Sequence, residues 1–253
     1  VRIYRPDVDG PVPTVVFFHG GGFVIGDLDT HEGVCRQLCR DVGAVVVSVD
    51  YRLAPEHRFP AAADDAEAAA RWVVAHIDEY GGDASRVAVG GDSAGGNLAA
   101  VTAQVLHADG VELAAQLLVY PNVDFLTDDY PSRTENAEGY FLTLNDMHWF
   151  AEQYTGHRAS DPRDVEFASD PRLSPLYAPS LDGLPPAVLV TAEYDPLRDE
   201  GDAYAAALEK AGVRVEHRCF PGLIHGFYGL EQMSPAVAEA TAWVIATFKD
   251  LLG

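Results

Sequence analysis

Residues 86–96 read Arg-Val-Ala-Val-Gly-Gly-Asp-Ser-Ala-Gly-Gly, a short apolar run that passes directly into a stretch of small residues. The run 86–90 is typical of a buried β-strand, and 95–106 is typical of a helix. The turn between them has the pattern Gly-x-Ser-x-Gly around Ser93. Such a strained turn exposes the serine hydroxyl at the edge of a sheet, and side chains at Gly91 or Gly95 would clash with the neighbouring strand and helix. The pattern predicts that Ser93 is a nucleophile; a tight turn in a non-catalytic sheet is the alternative.

Similar apolar runs recur along the chain and predict further strands, rich in β-branched and aromatic residues. They are apolar on both faces, as in the inner strands of a parallel sheet that helices cover. The predicted strands are 14–18, 44–49, 86–90, 116–120, 187–191 and 213–220. The predicted helices between and after them are 64–80, 95–106, 199–211 and 235–252. This alternation predicts a single α/β domain over 1–253, with a mostly parallel sheet flanked by helices.

The stretch 122–183 interrupts this alternation. It has no strong strand pattern, only polar turns and one helix-like segment at 144–154. A stretch this long is more than a simple connection between a strand and the next element requires. We therefore expect an inserted cap region over the carboxyl edge of the sheet, where α/β folds bind their ligands.

A second glycine-rich stretch, 19–23, follows the predicted strand 14–18 and reads His-Gly-Gly-Gly-Phe. Successive glycines let the backbone approach a ligand closely and present free N–H groups. Acyl transfer needs such donors where the carbonyl oxygen becomes negative. The predicted oxyanion hole is formed by the N–H groups of Gly21, Gly22 and Ala94. A phosphate-binding loop is the alternative, but neither Gly-x-Gly-x-x-Gly nor Gly-Lys-Ser/Thr occurs here.

A serine nucleophile needs a histidine base and a carboxylate that orients the base. Asp195 lies just past the predicted strand 187–191, with Glu193 and Asp199 as rival carboxylates. His225 lies on a glycine-flanked loop after the last predicted strand. The chain order Ser93, Asp195, His225 is the order found in α/β-hydrolases. These three residues are the predicted catalytic set.

The composition excludes several classes of protein. The 39 acidic and 17 basic residues give a formal net charge of −22, which disfavours nucleic acids and anionic lipid surfaces as partners. No apolar run is long enough for a membrane span, and no secretory signal is visible. Cys35, Cys39 and Cys219 have no spacing typical of a zinc site and are expected to be free thiols. This cysteine usage predicts a cytoplasmic protein.

Five motifs, taken together and in order, resemble the hormone-sensitive lipase family, the bacterial family IV esterases. They are HGGGF at 19–23, DYRLAPE at 50–56, GDSAGG at 91–96, YDPLRDEG at 194–201 and HGF at 225–227. The resemblance covers essentially the whole chain and implies an α/β-hydrolase fold. It assigns Ser93, Asp195 and His225 to the triad and Gly21, Gly22 and Ala94 to the oxyanion hole. It also implies that no cofactor is used, that the inserted region is part of a cap, and that a homodimer can form through the last strand and helix.

The resemblance implies a serine carboxylic-ester hydrolase that acts on short- to medium-chain acyl esters through an acyl-enzyme. Family members usually carry several dozen further residues before the equivalent of Val1, so the N-terminal cap helices and the first strand are expected to be missing. A binding protein on the same fold and a hydrolase of activated amides or lactones are the alternatives. The expected walls of the substrate pocket are Phe23, Leu98 and Phe227 from the motif loops, with Tyr140 and Phe141 from the cap.

Overall fold

The apolar runs of the sequence form the strands of a parallel sheet with one antiparallel edge strand. The computed structural model describes residues 1–157 and 165–253. Within these ranges the strands are β1 (Arg2–Tyr4), β2 (Val12–Phe18), β3 (Val45–Val49), β4 (Gly82–Asp92), β5 (Ala115–Val119), β6 (Ala187–Tyr194) and β7 (Val215–Ile224). Their spatial order is β1-β3-β2-β4-β5-β6-β7, and only β1 pairs antiparallel to its neighbour.

The helices are α1 (Glu32–Gln37), α2 (Ala61–His76), α3 (Ala94–Ala108), α4 (Pro131–Glu135), α5 (Leu144–Thr155), α6 (Val165–Ala168), α7 (Arg198–Lys210) and α8 (Pro235–Leu252). The sequence pattern predicts α2, α3, α5, α7 and α8 close to these bounds, and it does not predict the short helices α1, α4 and α6. Local chemistry fixes several ends. The Ser234 hydroxyl accepts the N–H of Val237 at the start of α8, and Thr143 with Asp146 forms a capping box on α5.

Helices cover both faces of the sheet, which explains why its inner strands are apolar throughout. Along β2, Val16 and Phe18 join the core shared with α2, α3 and α7, whereas Val15 and Phe17 join the core shared with α1 and α8. All four side chains are fully buried. Each such burial is worth about 1.5–3 kcal/mol relative to exposure. The expected mostly parallel α/β sheet is confirmed.

Four strands extend by more than one residue beyond the apolar runs that predict them. β2 begins at Val12, before its predicted start at residue 14. β4 begins at Gly82, which pairs with Val12; the register then shifts, and pairing with β2 resumes where Val87 lies opposite Thr14. β6 continues to Tyr194 and β7 continues to Ile224. The pairing of these two strands shifts in register between Ala192 and Tyr194 of β6, and Tyr194 then pairs with Ile224. The extension of β6 places residue 195 immediately beyond the carboxyl end of that strand.

The stretch 122–183 holds α4, α5, α6 and a 3-10 turn at Pro175–Tyr177, and its described residues contain no strand. Residues 158–164 of this stretch lie outside the described residues. The sequence pattern predicts only α5 here, because α4 and α6 are too short to show a helical repeat. None of the helices in the ranges 1–157 and 165–253 has the length and apolar character that crossing a membrane requires.

Candidate active site

Ser93 occupies the sharp turn between β4 and α3. Its φ is 55° and its ψ is −118°, a conformation that a residue with a side chain rarely adopts. The turn is held by the Ser93 N–H, which donates to the Val119 carbonyl at 2.9 Å, and by the Ser93 carbonyl, which accepts the Asn97 N–H at 3.0 Å. Strain of this kind occurs where the surrounding structure holds a functional side chain in place.

His225 and Asp195 lie beside Ser93 at the carboxyl edge of the sheet. The Ser93 hydroxyl is 3.0 Å from Nε2 of His225, and Nδ1 of His225 is 2.7 Å from Oδ2 of Asp195. Asp195 is fully buried, and its Oδ1 accepts the Leu197 N–H at 2.8 Å. A carboxylate beside Nδ1 favours the tautomer whose Nδ1–H donates to it. Nε2 is then free to accept the hydroxyl proton of Ser93.

The two rival carboxylates lie elsewhere. Glu193 accepts the N–H of Gly222 at 2.7 Å. Asp199 pairs with Arg198 at 2.7 Å and accepts the Ser132 N–H at 2.8 Å. The structure therefore brings one of the three candidates, Asp195, to the histidine.

The glycine loop after β2 approaches the same turn. Gly21 and Gly22 have φ of 122° and 59°, and the Gly20 N–H donates to Oδ1 of Asp92 at 3.0 Å. Within the described residues, neither Gly21 nor Gly22 donates its N–H to a hydrogen bond. Ala94 is the first residue of α3, where an N–H has no partner inside the helix. These three residues line the same cavity as Ser93, and within the described residues their N–H groups have no recorded partner. The positive end of the α3 dipole adds to them.

A cavity of about 820 Å³ opens onto Ser93 and His225 and includes Gly21, Gly22 and Ala94 in its lining. Much of its wall is apolar, with contributions from Phe125, Met147, Phe150, Phe167 and Leu173. Its volume lies within the range of small-molecule sites, about 300–1,000 Å³. The cavity can therefore accept an apolar group attached to a carbonyl carbon at Ser93.

Two of the five expected wall residues line this cavity. Phe23 does so with its ring stacked on Tyr154, at 3.9 Å between centroids, and Phe141 does so with 77% of its surface exposed. The other three do not reach the cavity. Leu98 is fully buried in the core beneath α3, because it lies on the face of the helix that packs against the sheet.

Tyr140 and Phe227 are the remaining two. Tyr140 stacks on Tyr194, with 4.7 Å between ring centroids. Phe227 is buried and packs edge-on against Tyr120 at 5.3 Å. Both aromatic rings are engaged by other rings and are not part of the cavity lining.

Sequence reasoning missed a buried ion pair at the wall of the cavity, where Arg133 and Asp128 are lining residues. Glu200 on α7 has no exposed surface and forms an ion pair with Nη2 of Arg133. Nη1 of the same guanidinium pairs with Asp128. The Glu200 carboxylate also accepts the Asn122 side-chain amide and the Val123 N–H, both at 2.8 Å. Burial raises the pKa of Glu200 even though Arg133 opposes the shift. A charged residue in a predicted helix is ordinarily expected at the protein surface. The sequence pattern therefore gave no sign that Glu200 is buried.

Two further cavity residues were also missed. Tyr120 has a φ of 37° and places its ring 4.6 Å from that of His225, which limits where the imidazole can move. His148 on α5 lies 2.9 Å from Asp128 and links the inserted region to the buried ion pair. The described residues contain no group of three or more His, Cys, Asp or Glu side chains that could hold a metal ion.

The fold and the serine–histidine–aspartate arrangement define an α/β-hydrolase, and comparison with known proteins agrees. Residues 15–229 match a family model described as the alpha/beta hydrolase fold. The chain is 47% identical to the carboxylic ester hydrolase LipN of Mycobacterium tuberculosis, covering 98% of this chain and 66% of that protein. It is 45% identical to the carboxylesterase NlhH of the same species, covering 100% of this chain and 78% of that protein.

Among solved structures, the esterase of Pyrobaculum calidifontis superimposes with a TM-score of 0.91 at 46% identity. That match covers 98% of this chain and 80% of the other. The chain belongs to the hormone-sensitive lipase family of α/β-hydrolases and is a carboxylesterase. It spans between 66% and 78% of the length of the two mycobacterial relatives.

Proposed function

We propose that Ser93, His225 and Asp195 form the catalytic triad of this carboxylesterase. The Ser93 oxygen attacks the ester carbonyl carbon while Nε2 of His225 takes the hydroxyl proton. His225 then gives this proton to the departing alcohol, which leaves an acyl group on Ser93. Water attacks the acyl-enzyme by the same route and restores the serine. The observation that carries the proposal is the unbroken path from hydroxyl to imidazole to carboxylate, with contacts of 3.0 and 2.7 Å.

Asp195 acts on the reaction through His225. Its fully buried carboxylate holds the imidazole with Nε2 toward Ser93 and stabilises the imidazolium that forms when the proton arrives. The oxyanion hole is assigned to the N–H groups of Gly21, Gly22 and Ala94, which are unengaged beside the serine. Loss of one such donor costs about 3–4 kcal/mol of transition-state stabilisation in acyl transfer.

The proposed substrates are short- to medium-chain acyl esters. The cavity supports this assignment because its apolar walls favour an alkyl chain and its volume is about 820 Å³. The region 122–183 is proposed to act as part of a cap, since its residues Phe125, Met147, Phe150 and Phe167 supply much of that wall. The exposed ring of Phe141 lies at the rim of the same cavity.

The function is tested by hydrolysis of p-nitrophenyl esters from acetate to palmitate. The wild type is compared with Ser93→Ala and with Ser180→Ala, a matched control at an exposed serine. We expect turnover of the shorter esters by the wild type and the control, a decline with chain length, and loss of turnover in Ser93→Ala. A folded wild type that hydrolyses none of these esters, or a Ser93→Ala variant that keeps most of its activity, would overturn the proposal.

Two further properties are proposed with this function. A homodimer can form through β7, which is an edge strand of the sheet, together with α8. Light scattering after size-exclusion chromatography tests this, because a single-chain mass at micromolar concentration would contradict it. A cytoplasmic location is proposed from the free thiols of Cys35, Cys39 and Cys219.

A further inference from the structure

One carboxylate connects the turn of Ser93 to the glycine loop. Asp92 is the residue before Ser93, and its Oδ1 accepts the N–H of Gly20, the residue before Gly21. The approach is close, since a Cβ atom on Gly20 would overlap the Asp92 carboxylate. The contact between Asp92 and Gly20 therefore sets the spacing between the nucleophile and the two glycine amides assigned to the oxyanion hole.

The same carboxylate oxygen faces a second residue, His31. Nε2 of His31 lies 3.3 Å from Oδ1 of Asp92, and the two side chains are only 19% and 13% exposed. His31 also lines the cavity that leads to Ser93. The imidazole is thus placed to hold the Asp92 carboxylate where Gly20 needs it, without touching the Ser93 hydroxyl or the His225 ring.

The contacts of its two ring nitrogens allow His31 to carry a positive charge. The Thr30 hydroxyl accepts the Asp27 N–H and lies within hydrogen-bond distance of the Asp27 carbonyl, both at 2.9 Å. Nδ1 of His31 lies 3.0 Å from the same hydroxyl oxygen, which can accept a proton from it. Nε2 faces the Asp92 carboxylate. Neither ring nitrogen faces a group that must donate to it, as the imidazolium form requires.

The charges around His31 favour this form. Burial lowers the pKa of His31, but the hydrogen bond and charge of Asp92, with the charge of Asp27, outweigh burial and raise it. His19 is the other titratable ring nearby, at 5.5 Å between centroids, and burial lowers its pKa, so it remains neutral. Burial likewise opposes the charged form of Asp92, yet His31 keeps the pKa of that carboxyl below its ordinary value.

We propose that the His31–Asp92 ion pair is a positioning device for the oxyanion hole of this esterase. Asp92 holds Gly20, and His31 holds Asp92, so that the Gly21 and Gly22 amides are fixed before the negative oxygen forms. An ion pair between side chains that are mostly buried is little screened by solvent, so His31 can restrain the Asp92 carboxylate. The inference rests on the proposed function, because it assumes that these amides receive the oxyanion.

The test compares His31→Ala and His31→Gln with the wild type, using p-nitrophenyl butyrate. Without the imidazole, the amides are less well aligned with the oxygen that becomes negative, while binding of the neutral ester changes little. We expect kcat to fall about tenfold in His31→Ala and KM to stay within about twofold. His31→Gln retains an N–H donor toward Asp92 and is expected to recover part of the lost kcat.

A pair of ketones separates positioning from general damage. Ser93 adds to the carbonyl of 1,1,1-trifluoro-2-hexanone: a bond forms from Oγ to carbon, the π-electrons move to oxygen, and the hydroxyl proton goes to His225. The negative oxygen of this adduct lies where the oxyanion hole binds, so the affinity for the trifluoroketone measures how well the hole is aligned. 2-Hexanone has the same carbon chain and binds without forming a stable adduct. We expect the affinity of His31→Ala to fall about tenfold for the trifluoroketone and to remain unchanged for 2-hexanone.

His217→Ala is the matched control, because His217 forms a similar pair with Asp202 at 3.0 Å but does not line the cavity. It should behave as the wild type. The inference is overturned if both ketones weaken equally in His31→Ala and His31→Gln, or if kcat and both affinities are unchanged. Failure of the proposed function is distinguishable, since the wild type itself would then hydrolyse no ester and form no adduct.

Discussion

The carbonyl oxygen of Phe18 fills the space that a Cβ atom on Gly95 would need. Phe18 is the last residue of β2 and Gly95 is the second residue of α3. The helix that begins after Ser93 therefore packs directly on the end of the strand that leads into the glycine loop. This contact brings the nucleophile and the oxyanion loop together, although they are more than 70 positions apart in the chain.

Gly95→Ala is expected to disrupt the fold. Its methyl group would overlap backbone atoms of Phe18 and His19, which cannot move without displacing β2. We expect an insoluble protein or a thermal midpoint far below that of the wild type, measured by circular dichroism. Gly110→Ala is the control, because no atom of the described part of the chain lies within 4 Å of the added atom. It should cost only about 1 kcal/mol, the usual penalty for alanine at a positive φ of 76°. A well-folded Gly95→Ala variant would contradict the packing described here.

Asp195→Asn is expected to reduce kcat by about 10³–10⁴-fold with little change in stability. The amide can keep the geometry but favours the wrong tautomer of His225, so Nε2 no longer accepts the serine proton. The measurement is kcat and KM on p-nitrophenyl butyrate. Glu193→Gln is the matched control, since Glu193 binds the Gly222 N–H and not the imidazole. Similar losses in both variants would contradict the assignment of Asp195.

Arg133→Met is expected to lower the free energy of unfolding by about 3–5 kcal/mol, because it leaves the buried Glu200 carboxylate without its cation. Glu200→Gln should cost less, since Arg133 keeps Asp128 as a partner. Urea unfolding followed by tryptophan fluorescence measures both. Arg36→Met removes the exposed pair with Glu32 and should change stability by less than about 1 kcal/mol. If Arg133→Met and Arg36→Met lower the free energy of unfolding equally, burial of the Arg133–Glu200 pair does not increase its contribution to stability.

Acid is expected to destabilise the protein through His19. Its ring is fully buried, its Nε2 has no hydrogen-bond partner among residues 1–157 and 165–253, and burial lowers its pKa. Below about pH 6.5 His19 binds a proton in the unfolded chain but stays neutral in the folded chain. The free energy of unfolding therefore falls as the pH drops below that value. Between pH 7.5 and 5.5 the wild type should lose about 1 kcal/mol more than His19→Asn. An identical pH dependence in the two proteins would contradict this account.

The sequence predicted those features that depend on short, contiguous patterns. The run 86–96 predicts β4, the turn and α3 because strand periodicity, glycine spacing and helix composition all change within a few residues. Asp195 and His225 could be proposed because each follows a predicted strand, and parallel strands bring such positions to one edge. Chain order did not decide between Asp195 and its rivals Glu193 and Asp199; the 2.7 Å contact between Asp195 and His225 does.

Features that depend on distant contacts could not be predicted in this way. Leu98 and Phe227 were expected at the pocket because they adjoin the motifs, but their side chains point into the core and into an aromatic cluster. Glu200 and Arg133 are 67 positions apart, and only folding shows that each is buried against the other. Burial of a charge depends on its partner, which a one-dimensional pattern does not contain.

The most direct test of the account is stoichiometric labelling with diethyl p-nitrophenyl phosphate. The Ser93 oxygen attacks phosphorus, p-nitrophenolate leaves, and the diethylphosphoryl group remains on the serine. We expect one p-nitrophenolate released per chain, loss of esterase activity in step with release, and the added mass on the peptide that contains Ser93. Ser93→Ala should release none. Labelling at another residue, or full esterase activity in a fully labelled protein, would contradict the assignment of Ser93 as the nucleophile.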